Sequence, residues 1–539
     1  MSPAEVFSDD ERTLLARHVT DVDAPVFALV DLPETVKAAL FARYSRHPGT
    51  LRRLLLDEFA GDLPPAPAGS AHATPSPAAP APPAGRAAEL YERVFVGYGD
   101  DSVAQLGGVH VACEWVSNVL TKILQRPRLG AYLEQSTRYI AYDQPLPGAG
   151  GGWRYHREAA LGPEYERAMD ELFATYARLL PAMTAWVAER FPAAAGGSAG
   201  RAAHARAVKA KALDLVRGLL PAGSLSHMGL FASGQAVEAL ILHLLAHPLP
   251  EARRCGEQLL RAVRAALPSF VARVERPDRG GVWIDYLRER GAAETRIARQ
   301  LGLDDASVYA ATPEGPSVRL THVDGDEQRL LTALLFEAAG TSEARVRARV
   351  ERLTAEQRAD AIAELCGPRS NRRHRPGRGF EALRYRFEIV SDYGAFRDLQ
   401  RHRMLTVQWQ TLTPHLGAAV PTEVEAAGRG DDYRRALDVS RTAWQRLVDD
   451  GHRAQAPYAL CLGHRIRYVL DLNAREAMHV AELRSGREGH PAYRAVAQQL
   501  HRLIADVHPA VGAAMRFVDH GEEPRLERIE AEQRRAARE

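Results

Sequence analysis

The chain has 539 residues, 46% of them hydrophobic, which is enough apolar material for more than one core, so two or more domains are expected. A formal charge of +2 gives no reason to expect nucleic acid or an anionic membrane as a partner, and any handling of anions must come from local arginine placement. Cys113, Cys255, Cys366 and Cys461 lie far apart with no CxxC pair, which reads as reduced, packed thiols rather than a disulfide frame, and no metal site is expected.

The opening "MSPAEVFSDDERTLL" is acidic and lacks the basic and apolar regions of a signal peptide. No apolar run approaches the ~20 residues that cross a bilayer. A cytoplasmic protein with no membrane partner is expected. Residues Leu63–Gly85 are Pro/Ala/Ser-rich and read as a solvated loop or linker. In the following "DDSVAQLGGVHVACEWVSNVLTKIL", Val103, Leu106, Val116, Val119, Leu120 and Ile123 fall at mostly helical spacings, with Asp100 and Asp101 just ahead as caps. That pattern predicts a helix, in which the glycines and Ser117 leave room for a break.

Loops are expected at Pro145–Arg154 and around Gly196, and amphipathic helices over Glu164–Phe191, Arg434–Asp450 and Pro491–Val507. The basic stretch Gly367–Glu381 is turn-rich and reads most simply as a solvated face, with an anion-facing role as the alternative. "LRYRFEIV", from Leu383 to Val390, alternates and reads as a strand, and Asp392 is placed to cap a helix beginning "YGAFRDLQRHR". These elements make an α+β protein rich in helix.

One phrase occurs twice. "LQRPRLGAYLEQSTRYIAYD" begins at Leu124 and "LQRHRMLTVQWQTLTPHLG" at Leu399. Further on, the stretch from Val216 lines up with the stretch from Ala456, setting Ser233 over Asn473. Such internal similarity points to duplication. Taken alone, the run Arg401, His402, Arg403 is equally well a solvated helix end, and Ser136 with Arg138 is a short Ser-x-Arg. Arginine forks suit phosphate because they bind it bidentately, and a serine hydroxyl completes such a cradle.

On these residues the chain resembles the flavin-dependent thymidylate synthases, in a double-length form. The family signature runs Arg-His-Arg, two residues, Ser, one residue, Asn-Glu, one residue, Ser, one residue, Arg-Tyr. In the second copy Arg401, His402 and Arg403 match its opening, while Thr411, Thr413 and Pro414 replace its close. In the first copy Pro127 spoils the opening, while Glu134, Ser136, Arg138 and Tyr139 match the close. The family arginine before a Leu-Pro step resembles Arg217, where the second copy has Pro457. The family's Asn-x-Arg with a later arginine resembles Asn473, Arg475 and Arg484; Ser233, Gln235 and Leu244 stand there in the first copy. A Gly-His-x-Ser/Thr element resembles "YGDDSVAQ", with Asp100 at the His position and Ser102 retained. Departures are Asp398, where the family has glutamine, and Leu133 in place of the signature Asn.

The resemblance implies two tandem domains, at 20–280 and 300–525, each with a mixed sheet and many helices. It implies methylation of dUMP at C5, with FAD as cofactor and methylenetetrahydrofolate and NADPH as co-substrates. Glu134, Ser136, Arg138, Tyr139, Arg217, Arg401 and Arg484 would bind the nucleotide, with Ser136, Arg138 and Arg217 on its phosphate. Ser102, Arg401, His402, Arg403, Asn473 and Arg475 would hold the cofactor, and Arg484 and His402 would be the catalytic pair. The two copies keep complementary halves of this set, so one composite site built from both is expected. A homodimer would mimic the family tetramer. The rivals are the same chemistry on another pyrimidine nucleotide, or a catalytically silent nucleotide- or flavin-binding paralogue.

Overall fold

In a computed structural model of the chain, the described residues are 5–32, 34–44, 46–60, 103–105, 107–146, 152–193, 198–303, 316–521 and 525–536. The expected linker Leu63–Gly85, the caps Asp100 and Asp101, and Ser102 lie outside them. The chain divides into two compact units. Unit 1 comprises Met1–Ala177, Pro221–Val308 and Thr442–Ala459; unit 2 comprises Arg178–Leu220, Tyr309–Arg441 and Leu460–Glu539. Each unit therefore takes an internal segment from the half of the sequence that forms most of the other.

Unit 1 holds the sheet β1 (Val26–Leu29), β2 (Gly108–Ser117), β4 (Leu225–Ser233) and β3 (Gly130–Glu134), in the spatial order β1-β2-β4-β3. Unit 2 repeats it with β5 (Ser317–Asp324), β6 (Arg384–Asp392), β8 (Arg465–Asn473) and β7 (Leu405–Trp409), in the order β5-β6-β8-β7. The registers agree: Ser117 pairs with Leu225 and Gly108 with Ser233, as Asp392 pairs with Arg465 and Arg384 with Asn473. Each pairing is antiparallel, a narrower arrangement than the mixed sheet expected. The helix-bearing connections are long enough to return the chain from either end of a strand, so helical linkage did not fix the strand sense.

The caps repeat as well. Ser117 and Asp392 accept from Leu120 N and Ala395 N to start the helices Asn118–Leu124 and Tyr393–Leu399. Ser233 and Asn473 cap Gly234–Ala246 and Ala474–Arg484 in the same way. Such side-chain acceptors satisfy amide groups that a helix start leaves without partners. The tandem duplication is thus written in the fold. The helices expected over Glu164–Phe191, Arg434–Asp450 and Pro491–Val507 are present as Gly162–Arg190, Gly430–Asp449 and Pro491–Val507.

One expectation is corrected. The stretch read as helical from Val103 onward has a 3-10 turn at Val103–Gln105, then strand β2 over Gly108–Ser117, and is α-helical over Asn118–Leu124. A short apolar run buried on both faces shows no alternation, so spacing did not separate strand from helix; the β-branched Val109, Val111 and Val116 were the better guide.

Within unit 2, the helix Ser198–Val216 comes from the first copy, and a buried ion cluster ties it down. Lys211 Nζ lies 3.0 Å from Glu423 and 2.7 Å from Glu527, with its side chain 2% exposed. Arg206 adds a contact of 2.7 Å to Glu532 on the C-terminal helix Ile529–Ala536. Removing one partner of a buried pair leaves the other charge uncompensated. Lys211→Met should therefore cost about 3–5 kcal/mol in urea unfolding, and a loss below about 1 kcal/mol would show that the cluster does not secure this helix.

Candidate functional site

The end of that first-copy helix carries the first site residue. A short 3-10 turn at Arg217–Leu219 follows it, and neighbouring strands of backbone fix its path. Gly463 N donates to Gly218 O at 2.8 Å, and Leu462 N to Leu220 O at 2.8 Å. Gly218 is required by close approach, since a Cβ there would meet Tyr433 Oη at 2.1 Å. Arg217 is 3% exposed and packs against Gly394, where a Cβ would come within 3.2 Å of a guanidinium nitrogen. Beside it, burial pushes the Asp392 carboxyl up, while Arg217 opposes that shift.

From Arg217 a chain of charged and polar groups runs through unit 2. Arg217 Nη1 lies 3.7 Å from Asp398 Oδ2, and Arg484 Nη1 lies 3.8 Å from Asp398 Oδ1. Arg484 Nε donates to His402 Nε2 at 2.9 Å, and His402 Nδ1 meets Glu476 Oε1 at 3.1 Å. Glu476 Oε2 lies 3.4 Å from His479 Nδ1, which in turn lies 3.4 Å from Arg375. Arg484 also sits over the Tyr493 ring at 5.7 Å.

This geometry fixes the state of His402. A guanidinium N–H can only donate, so Nε2 must carry a lone pair, and the proton sits on Nδ1 facing Glu476. Burial is the largest cause pushing the imidazole down, and Arg484 adds to it against Glu476, so it falls to about 4. Burial alone pushes Glu476 up, yet donation from His402 and His479 outweighs it and holds the carboxyl down to about 2. The consistent state is a neutral His402 between a cation and a carboxylate.

His402, Glu476 and His479 offer donor atoms within 4.8 Å of one another, a spacing a cation could bridge. The guanidinium on His402 Nε2 and that of Arg375 near His479 oppose a further cation there, and metal ligation through Nδ1 would displace the proton Glu476 accepts. The cluster is read as a hydrogen-bonded chain.

The remaining second-copy residues lie around this chain. Arg401 and Arg403 flank His402 and are exposed; Arg401 Nε donates to Arg397 O at 3.1 Å, and Arg403 makes no hydrogen bond or ion pair among the described residues. Arg475 Nε donates to Pro376 O at 2.9 Å. Asn473 spends its side-chain oxygen on capping Glu476 N at 2.9 Å. Arg372 and Arg373, in the basic lead-in, are exposed.

In unit 1, Glu134 is committed to a buried cluster, accepting from Lys122 Nζ at 2.7 Å, Gln125 Nε2 at 2.9 Å and Thr121 Oγ1 at 3.1 Å. Ser136 Oγ accepts from Arg138 N at 3.3 Å in the turn after β3, and both residues are half-buried. Tyr139 is exposed, with Arg46 5.0 Å above its ring. Gln135, just before Ser136, is buried and accepts from Arg154, whose guanidinium lies 5.1 Å over Trp115.

Sequence reasoning missed Glu476 and His479. Their separation of three places them on one helix face beside Arg484, and that spacing was the available signal. All four cysteines are free and buried. Burial pushes the Cys461 thiol up to about 12, and its Sγ donates to Leu219 O at 3.1 Å, so it is a poor nucleophile. Among the described residues no helix is long and apolar enough to cross a membrane.

Two copies of one α+β domain, with an arginine-rich polar chain in unit 2, define the class. The family model described as thymidylate synthase complementing protein matches residues 68–269 and again 331–510. The chain belongs to this family, the flavin-dependent thymidylate synthases, in double-length form. A UPF0159 protein of Chlamydia muridarum is 33% identical over 551 residues, covering 98% of this chain and 99% of the relative. A UPF0159 protein of Thermoplasma acidophilum is 29% identical, covering 84% and 92%. Among solved structures, a UMP/dUMP methylase from Streptomyces cacaoi bound with 5-Br dUMP is 19% identical, with a TM-score of 0.31, covering 38% of this chain and 96% of that one.

The neutral His402 has a measurable consequence. Its folded pKa lies below the ordinary 6.5, so its contribution to stability is present above pH 6.5 and is lost as pH falls toward 4. Between pH 7 and pH 5, urea midpoints should show His402→Gln losing less stability than the unmutated chain, by about 1–2 kcal/mol. Equal losses in the two proteins would mean that His402 does not titrate as a buried neutral group.

Proposed function

We propose that the protein methylates C5 of dUMP, with methylenetetrahydrofolate as carbon donor, FAD as cofactor and NADPH as reductant. The observation that carries this reading is the meeting, within unit 2, of a first-copy arginine with second-copy groups. Arg217 shares Asp398 with Arg484, and Arg484 is held by His402. The sequence halves that looked incomplete alone contribute here to one set of side chains.

C5 must become nucleophilic to attack the donated carbon, so negative charge has to build on the ring before that bond forms. A guanidinium held in advance by Asp398 and His402 favours that charge without reorganising at the moment of reaction. The neutral His402 serves as an acceptor that aims Arg484, with Glu476 holding its proton at Nδ1. Reduced flavin supplies the reducing equivalent when bound. The residues present suit such a group: Arg401 and Arg403 are exposed and Arg475 is partly so, and guanidinium groups of this kind would hold its diphosphate. No thiol takes part, in keeping with four buried cysteines.

The complementary spelling of the copies supports a nucleotide held by residues of both. Ser136 and Arg138 are assigned to its phosphate, with Glu134 and Tyr139 supporting that turn. A two-chain assembly follows from the resemblance and is checked by light scattering, where a monomer would count against it.

The direct assay is complementation of a thymidine auxotroph together with the visible spectrum of the purified protein. Growth and a bound flavin spectrum are expected; a flavin-free, non-complementing protein would leave the silent-paralogue reading in its place. Arg403→Ala and Arg475→Ala should lower flavin occupancy, whereas Arg128→Ala in the first copy should matter less.

Nucleotide affinity tests the contribution of both copies. Arg138→Ala and Arg484→Ala each remove a charge-assisted contact worth roughly 1.5–3 kcal/mol, so each should weaken dUMP binding by about 10- to 150-fold in calorimetry. Binding that survives both single changes would remove the composite reading.

A further inference from the structure

The helix Val282–Gln300 lies between the stretches 68–269 and 331–510 that match the family model, so neither copy of the family domain supplies it. Its first half is fastened within unit 1. Leu287 is buried, and Arg288 Nη2 donates at 3.1 Å to Leu245 O on the helix Gly234–Ala246. From Arg288 to Gln300 no residue is buried. A helix surrounded by water is marginal at such lengths, because most helical stability comes from packing one face.

The helix nevertheless carries an apolar stripe. Val282, Tyr286, Arg290, Ala293, Ile297 and the C-cap Leu301 follow one another at steps of four, four, three, four and four, which traces one helix face. Val282, Tyr286, Ile297 and Leu301 are between 53% and 67% exposed, so the chain itself leaves that face open. The guanidinium of Arg290 lies 5.9 Å over the Tyr286 ring, and its apolar stem continues the stripe.

The steps read the same in both directions. Laid antiparallel on an identical helix, the stripe sets Val282 against Leu301, Tyr286 against Ile297 and Arg290 against Ala293. Charge follows the same order. Glu289 and Arg296 border the stripe on one side, and neither makes a hydrogen bond or ion pair among the described residues. In the antiparallel arrangement each Glu289 faces the partner's Arg296. A parallel pair would set Glu289 against Glu289 and Arg296 against Arg296, where like charges repel.

We propose that this helix is a dimerisation element, which pairs antiparallel with the same helix of a second copy across a two-fold axis. A two-fold contact uses one patch twice, and a stripe with palindromic spacing and opposite charges toward its two ends is self-complementary in that way. The two-chain assembly drawn from the resemblance names no surface. This helix supplies one, and the pairing holds whether or not the chain methylates dUMP.

The test measures dimer dissociation of the full chain by light scattering over a dilution series. The unmutated chain should be a dimer. Ile297→Glu places a carboxylate in the contact twice and should weaken the dimer at least about 10-fold. Glu289→Arg sets like charges together and should weaken it about 3- to 10-fold, and adding Arg296→Glu should restore it, because the exchanged charges again oppose. If Ile297→Glu fails to fold, the charge reversal and its rescue carry the test, since both residues are exposed. Weakening by Glu289→Arg without rescue would overturn the antiparallel order. Dimerisation unchanged by the variants would overturn the helix contact while leaving a two-chain assembly built on another surface. A monomeric unmutated chain would overturn both the contact and that assembly.

Discussion

The arrangement of unit 2 depends on charges that alternate along one line of buried and half-buried groups. Arg217, Asp398, Arg484, His402 and Glu476 follow one another at contacts between 2.9 and 3.8 Å. Burying a charge is costly unless an opposite partner and hydrogen bonds compensate it. Here each guanidinium has a carboxylate beside it, and the one neutral group, His402, is the spacer that lets a cation and a carboxylate share a ring. None of the five could be changed in charge without leaving a neighbour exposed to a like or absent partner. The line begins on a segment from the first half of the sequence, and Lys211, clamped by Glu423 and Glu527, fastens the helix that delivers it. Second-copy residues therefore depend on first-copy chain for their electrostatic balance.

The two copies share a scaffold and differ in what they place on it. Sheet order, register and helix caps repeat, down to Ser117 with Asp392 and Ser233 with Asn473. The polar interiors do not repeat. In unit 1 a buried ion pair joins Lys122 to Glu134, completed by Gln125 and Thr121, and it uses the carboxylate that the signature would offer a ligand. In unit 2 the buried Glu476 and the half-buried Asp398 lie on either side of the Arg484–His402 pair. Backbone hydrogen bonding sets the fold, so side chains on it can diverge as long as each buried charge finds a partner.

Much of this was legible in the sequence, and the exceptions have physical causes. The repeated Leu-Gln-Arg and the Ser233 over Asn473 alignment gave the duplication, since a cap position is a strong local signal. The strand after Leu383 and its Asp392 cap were readable because alternation and a capping residue coincide there. Strand β2 was not, because its buried face and its buried back look alike in hydrophobicity. Glu476 and His479 were not singled out, because what gives them a role is His402, which reaches Glu476 from far away in sequence. Asp398 was legible only as a departure from the signature. Its partners come from Arg217 and Arg484, and proximity between residues so distant along the chain leaves no trace in spacing.

Duplication also explains why Asp398 was open to this chain. In a protein with one copy of the domain, each residue appears wherever the domain appears, and a buried carboxylate must be tolerated in every setting. With two copies the settings separate. The first copy has Leu244 where the second has Arg484, and the segment from Ala456 brings Pro457 where the other brings Arg217. A carboxylate at Ile123, the first-copy counterpart of Asp398, would then sit half-buried without either cation, at a cost its neighbours do not offset. Unit 1, with Ile123, Leu244 and Pro457, therefore lacks the carboxylate and both arginines, whereas unit 2, with Asp398, Arg484 and the first-copy Arg217, has all three. The complementary spelling of the two halves fits electrostatics in which one unit keeps the charged line and the other gives it up.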